Sequence, residues 1–310
     1  MPAPAILTEQ LTRTFRSLRA VDNVDLAVAP GTVYGVLGPM GAGKTTLVRL
    51  LLGLLAPTSG AAYMLGYDVR THADTIRSRT GVVLQASGLY DGFTALENLE
   101  LYARIWHLPA ADRDSRIEML LHHFDLWSRR HERVGNWSLG MKHELAIARA
   151  LVHRPALLIL DEPAAGLDEP AREVLRSELT SLVRNEGATI LLTTKDATEA
   201  AALCDAISIM EHGRIVATGT PATMANHDGA LLVRIVGRGF TTDLVHLIES
   251  RHDVRHAHAA GDGLVVEVTR DSACAAVINL VVESGADIMT VERSNGGFEA
   301  TYRSLLGGVV

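Results

Sequence analysis

Gly38-Pro39-Met40-Gly41-Ala42-Gly43-Lys44-Thr45-Thr46 is the stretch from which the rest of the chain can be read. The apolar run Val33–Leu37 leads into it, and a helix-like apolar run at 47–55 leads out. A glycine-rich loop between a strand and a helix is the setting of the G-x-x-x-x-G-K-[ST] pattern. Glycines let backbone N–H groups turn inward, and the positive end of the helix dipole falls at the same spot. Both features suit phosphate. In this pattern Lys44 reaches the β- and γ-phosphates of a nucleoside triphosphate, and the Thr45 hydroxyl ligates Mg²⁺.

Short strand candidates at 6–11, 24–28, Val33–Leu37, 81–84, 157–160, 189–193 and 206–210 lie outward from that loop. Helical stretches at 44–55, 96–106, 113–124, 139–152, 170–185 and 197–204 alternate with them. Such alternation predicts an α/β fold, a parallel sheet covered by helices. The early strands within 6–37, and the pair 206–210 with 214–218, read as antiparallel additions. The pattern changes near Asn226-His227-Asp228-Gly229, which divides the chain into 1–228 and 229–310. The second part reads strand, helix, strand, strand, helix, strand, the order of a small ferredoxin-like α+β module.

The chain has 310 residues, 47% of them hydrophobic, so it can fill the core of one large domain and a small one. Its net charge of −7 leaves no electrostatic footprint for nucleic acid. Cys204 and Cys274 stand far apart, which points to a reducing compartment rather than a disulfide framework. No apolar run approaches the ~18 residues that span a bilayer. Met1-Pro2-Ala3-Pro4-Ala5 lacks the charged and apolar regions of a signal peptide. The expectation is a cytoplasmic protein whose membrane-spanning partner, if any, is another chain.

A second chemical element is Leu157-Leu158-Ile159-Leu160-Asp161-Glu162-Pro163. Two carboxylates follow a buried strand, at the end where open α/β sheets bind ligands. Asp161 is placed to hold Mg²⁺ and Glu162 to polarise an attacking water. A third element, Asn136-Trp137-Ser138-Leu139-Gly140-Met141, opens a helix.

With these in order, the chain resembles the nucleotide-binding subunit of an ABC transporter. Ser138-Leu139-Gly140-Met141 resembles the signature L-S-G-G-Q, Gln85 the Q-loop glutamine, Gly166-Leu167-Asp168 the D-loop, and Phe15 the aromatic that stacks on adenine. The resemblance covers ~6–225, with a helical subdomain at about 86–152. It implies a P-loop ATPase fold with an added antiparallel β subdomain. ATP would lie on Gly38, Pro39, Met40, Gly41, Ala42, Gly43, Lys44, Thr45 and Thr46 of one subunit. Ser138 and Gly140 of a second would close over its γ-phosphate, with Asp168 nearby. Mg²⁺ would be held by Thr45, Gln85 and Asp161. The implied partners are a membrane permease subunit and either a second copy or a related ATPase. The subunit would lie peripherally on the inner face of the cell membrane.

The chain also departs from that pattern. Lys195, in Thr193-Thr194-Lys195-Asp196, stands where the family carries a histidine that contacts the γ-phosphate. Lysine is a longer point charge with no acceptor, so binding is expected to survive and turnover to fall. A weakly hydrolysing regulatory subunit is the alternative. Leu139, Met40, His143 and Glu144 also differ from common family residues; the first two are expected to be tolerated. Gly297 to Leu306 looks like a degraded form of the terminal helix motif of daunorubicin-resistance ATPases. That implies drug or hydrophobic-compound export, with the C-terminal module aiding dimer contact or regulation. His246, His252, His256 and His258 lack clean metal-ligand spacing and read as solvated. Trp106 and Trp127 read as helix packing, and Cys204 as a buried small hydrophobe.

Overall fold

The computed structural model describes residues 3–84, 88–225, 231–260, 263–295 and 298–306. Residue contacts divide the chain into two compact units, Met1–Thr218 and Gly219–Val310. The first unit runs β1 (Ile6–Phe15), β2 (Leu18–Val28), β3 (Val33–Leu37), α1 (Lys44–Leu51), β4 (Ser59–Met64), β5 (Tyr67–Asp68), α2 (Ala73–Ser78) and β6 (Thr80–Val83). It continues through α3 (Ala95–Ile105), α4 (Ala110–His123), α5 (Leu139–Leu151), β7 (Leu157–Asp161), α6 (Glu169–Glu186), β8 (Thr189–Thr194), α7 (Ala197–Leu203), β9 (Ala206–Glu211) and β10 (Arg214–Gly219).

Two sheets share this unit. One has the order β2-β1-β4-β5 and is antiparallel where β1 meets β2 and β4. The other has the order β10-β9-β3-β8-β7-β6, with parallel pairing from β9 through to β6. All five residues of β3 and of β7 are buried, as strands covered on both faces must be. Leu47, Val48, Leu50 and Leu51 of α1 pack into one core with Ile6, Leu11, Val24, Met64 and Ile159. This core anchors the helix that follows the glycine loop.

The structure corrects three sequence expectations. Val33–Leu37 and Ala206–Glu211 are not antiparallel additions, because they pair with each other in parallel. The antiparallel expectation holds for β1 and β2. The helix after the loop stops at Leu51, because Gly53 turns left-handed at φ 65, where a Cβ would come 2.6 Å from that of Ala73. Strands β4 and β5 and helix α2 occupy a stretch that sequence reading left empty.

Trp106 stacks on His153 (4.6 Å between centroids), and Trp127 packs between His122 and the Arg130 guanidinium. Both tryptophans therefore serve packing. Cys204 is buried beneath Gly35, and burial pushes its thiol pKa up, which makes it inert. Among the described residues no helix is long and apolar enough to cross a membrane.

The second unit comprises α8 (Pro221–Ala225), β11 (Leu231–Arg238), α9 (Thr242–Glu249), β12 (Val254–Ala260), β13 (Gly263–Val268), α10 (Asp271–Glu283), β14 (Asp287–Asn295) and α11 (Phe298–Leu305). Its sheet has the order β12-β13-β11-β14 and is antiparallel throughout. Val233, Ile235, Leu264 and Val266 face Leu244 and Ile248 of α9 and Val277 and Val281 of α10 in a separate core.

Candidate functional site

The glycine loop leaves β3 at Gly38, whose N–H donates to the Thr194 carbonyl of β8 at 3.0 Å. Its shape admits only glycine at two points. A Cβ on Gly38 would come 2.2 Å from the Met210 carbonyl, and one on Gly43 would come 2.2 Å from that of Ala20. Gly43 also sits at φ 108 and Gly41 at φ 82, in territory that suits glycine. No side chain caps α1, so its leading amides are left for a ligand.

Lys44 folds back over this loop. Its Nζ donates to the carbonyls of Gly38 (2.7 Å) and Pro39 (3.1 Å) and lies 3.5 Å from Glu162 Oε1. Burial pulls its pKa below the usual lysine value, against the opposing pull of Glu162 and Asp161. Met40 is 88% exposed.

Asp161 ends β7 and is buried. It accepts from Thr45 Oγ1 at 3.1 Å and from Thr193 Oγ1 at 2.5 Å. Glu162 takes φ 53, a left-handed backbone that costs a non-glycine residue about 1–3 kcal/mol. Its N–H donates to the Thr193 carbonyl at 3.0 Å, which holds the chain in that turn and directs the carboxylate toward Lys44.

Lys195 follows β8 and lines the same cleft as Lys44, Thr45, Thr46 and Glu162. The cleft has a volume of about 520 Å³. Two ammonium groups, two threonine hydroxyls, two carboxylates and open amides at one sheet end suit a polyphosphate with a hard divalent cation.

The remaining sequence candidates fall elsewhere. Phe15 is 39% exposed, with the Arg13 guanidinium 4.5 Å from its ring centroid, and it does not line the cleft. Leu18, Arg19 and Ala20 line it instead, with His212 and Gly213 from the turn after β9. Gln85 lies outside the described residues. Ser138, Gly140 and Asp168 gather around the starts of α5 and α6. Ser138 Oγ caps α5 by accepting from Met141 N–H at 3.2 Å, and Asp168 caps α6 by accepting from Ala171 N–H at 3.1 Å. Leu139 is 53% exposed and rests on Gly166, where an added Cβ would meet its Cδ2 at 3.0 Å. Behind this turn, burial holds His143 down at about 4. Burial, together with Glu178 and Asp125, lifts Glu144 to about 7.

Sequence reading missed Thr193, Arg172 and Glu199. Thr193 joins Asp161 to the Glu162 turn. Arg172 spans Leu167 and Asp196, and Glu199 is buried and accepts from Thr194 Oγ1 at 2.5 Å. Thr193 and Arg172 meet Asp161 and Asp196 only through the fold, and Glu199 meets Thr194 five residues away in a turn that no motif marks.

Comparison with known proteins places the chain among transporter ATPases. The family model described as ABC transporter matches residues 21–165. The Nod factor export ATP-binding protein I of Paraburkholderia xenovorans (strain LB400) is 40% identical over 238 residues, 76% of this chain and 78% of that one. The daunorubicin/doxorubicin resistance ATP-binding protein DrrA of Streptomyces peucetius is 36% identical over 271 residues, 87% of this chain and 79% of its own. Among solved structures, an ATP-binding subunit of an ABC transporter is 30% identical, with a TM-score of 0.64 over 71% of this chain and 91% of that one. A dimeric post-hydrolysis state of the ATP-binding cassette MJ0796, bound to ADP and Pi, is 25% identical. Its TM-score is 0.63 over 69% of this chain and 98% of that one.

Proposed function

The chain belongs to the ABC transporter family, and from that premise we propose that it binds and hydrolyses ATP to drive export of a drug or other hydrophobic compound through a separate membrane subunit. The observation that carries this reading is the convergence of Lys44, Thr45, Asp161, Glu162 and Lys195 at one end of β3, β7 and β8.

In this reading ATP is the substrate. Its phosphates lie along residues 38–46, where the Lys44 ammonium exchanges the Gly38 and Pro39 carbonyls for phosphate oxygens. Thr45 and Asp161 offer paired hard oxygens that fit Mg²⁺, which when bound draws charge off the β- and γ-phosphates. Gln85 completes that set by family resemblance. Glu162 orients the attacking water and takes its proton. Lys195 supplies positive charge to the γ-phosphate but offers no acceptor with which to align that water. Ser138, Gly140 and Asp168 act on the site of a second ATPase subunit, either a copy of this chain or a relative. The dimeric assembly of MJ0796 supports that arrangement.

The ATP-binding domain is read as 1–228, with its helical subdomain at about 86–152, lying peripherally on the inner face of the cell membrane. The accessory domain, 229–310, is read as ferredoxin-like. The strand order, with the fourth strand of the unit beside the first, then the third and the second, supports that. It is assigned to dimer contact or regulation.

Lys195 in the cleft favours a second reading, a subunit that binds ATP and turns it over slowly. Phosphate release from purified protein, with Glu162→Gln as the inactive control, separates the two. Release above the control supports an ATPase, and release equal to it supports the regulatory reading. Lys195→His is expected to raise the rate several-fold, and an unchanged or lower rate removes the assigned role of Lys195.

A further inference from the structure

The Lys195 side chain makes no hydrogen bond or ion pair to any described residue, yet the backbone on both sides of it is tied down. On one side, Thr194 Oγ1 donates to the buried Glu199 carboxylate and accepts from Asp196 N–H at 3.0 Å. On the other, Asp196 Oδ1 accepts from the N–H groups of Thr198 (2.9 Å) and Glu199 (3.1 Å), capping α7. The remaining oxygen, Oδ2, accepts from Arg172 Nη1 at 3.3 Å. Arg172 Nε donates in turn to the Leu167 carbonyl at 3.2 Å, in the loop that carries Gly166 and Asp168. One guanidinium therefore bridges the 166–168 loop and the turn that presents Lys195.

As an ion pair this bridge adds little to stability. Arg172 and Asp196 are each about one third exposed, a setting in which an ion pair contributes about 0–1 kcal/mol. A flexible lysine is a different matter. Its ammonium rides on a four-carbon stem with about 2 kcal/mol of rotamer entropy, so its placement depends on how firmly its backbone is held.

We propose that Arg172 is a positioning residue that fixes Lys195 against the γ-phosphate and makes that placement follow the 166–168 loop. The inference rests on the reading of Lys195 given above. It gives the loop a way to report its position inside the cleft of its own chain. The guanidinium is suited to this because its planar fork serves two acceptors in fixed geometry.

The test uses full-length protein carrying Glu162→Gln, so that nucleotide is not turned over, and reads the ratio of ATP to ADP affinity. Lys195→Ala is expected to lower that ratio about tenfold, and Arg172→Gln about threefold. Arg172→Gln is expected to add nothing once Lys195 is alanine. The melting temperature should stay nearly constant across the set, which a merely structural role for Arg172 does not explain alongside the loss of ATP preference. Additive losses in the double variant overturn this inference alone. An unchanged ratio in Lys195→Ala overturns both it and the assigned role of Lys195.

Discussion

Two helices of this chain begin at glycine-containing turns, and they use their first amides in different ways. At α1 no side chain caps the helix, and the loop is shaped by glycines whose neighbours leave no room for a Cβ. At α5 the Ser138 hydroxyl already serves the Met141 amide, and Gly140 has ordinary clearance, 3.4 Å from an added Cβ to that of Ala171. The first turn is formed before any ligand arrives. The second is complete in itself and must share its serine to do anything more.

Removing the cation of the formed site should have the largest effect. Lys44→Ala is expected to weaken ATP binding and to cut phosphate release by about 100-fold or more, read by nucleotide titration and single-turnover kinetics. Adding a methyl group to each turn sharpens the contrast. Gly43→Ala forces an unfavourable backbone and a clash with the Ala20 carbonyl, so a loss of about 2–3 kcal/mol in denaturant melts is expected. Gly140→Ala should leave stability unchanged or raise it by up to about 1 kcal/mol. Equal effects of the two would erase the distinction. Ser138→Ala removes a helix cap and is expected to cost about 1 kcal/mol with nucleotide absent.

The smallest effect concerns pH. Glu144 titrates higher in the fold than in the unfolded chain, so its contribution to stability is full below about 4.5 and fades as pH rises through about 7. His143 has the opposite sign, its contribution growing from about 4 to about 6.5. Glu144→Gln isolates the first term. Between pH 5 and 8 the wild type should lose about 1 kcal/mol relative to this variant, a figure discounted for partial exposure. Parallel melting curves across that range would show that the carboxyl is solvated and ordinary.

The sequence was most legible where chemistry is local. The five residues of β3, the glycine loop and the Asp161-Glu162 pair are contiguous, and their bounds could be read from spacing alone, though the direction in which β3 pairs could not. Helix α6 was equally plain, since Asp168, Pro170 and Gly187 punctuate its two ends. Strand β4 was hidden because Ser-Gly-Ala-Ala carries no alternation of its own and is held by pairing with β1. The direction of β9 could not be read, because its parallel neighbour β3 lies far upstream. For the same reason Arg172 could not be singled out, because Asp196 comes within its reach only in the folded chain.

One turn of backbone sets comfort against competence. Glu162 is bent into a posture natural to glycine and held there by Thr193. A glycine at that position would relax the bend and remove the carboxylate in the same step. Screens that reward robustness alone are thus biased toward discarding the carboxylate to which we assign the chemistry, and any hardened descendant of this chain should be asked first whether it kept its tension.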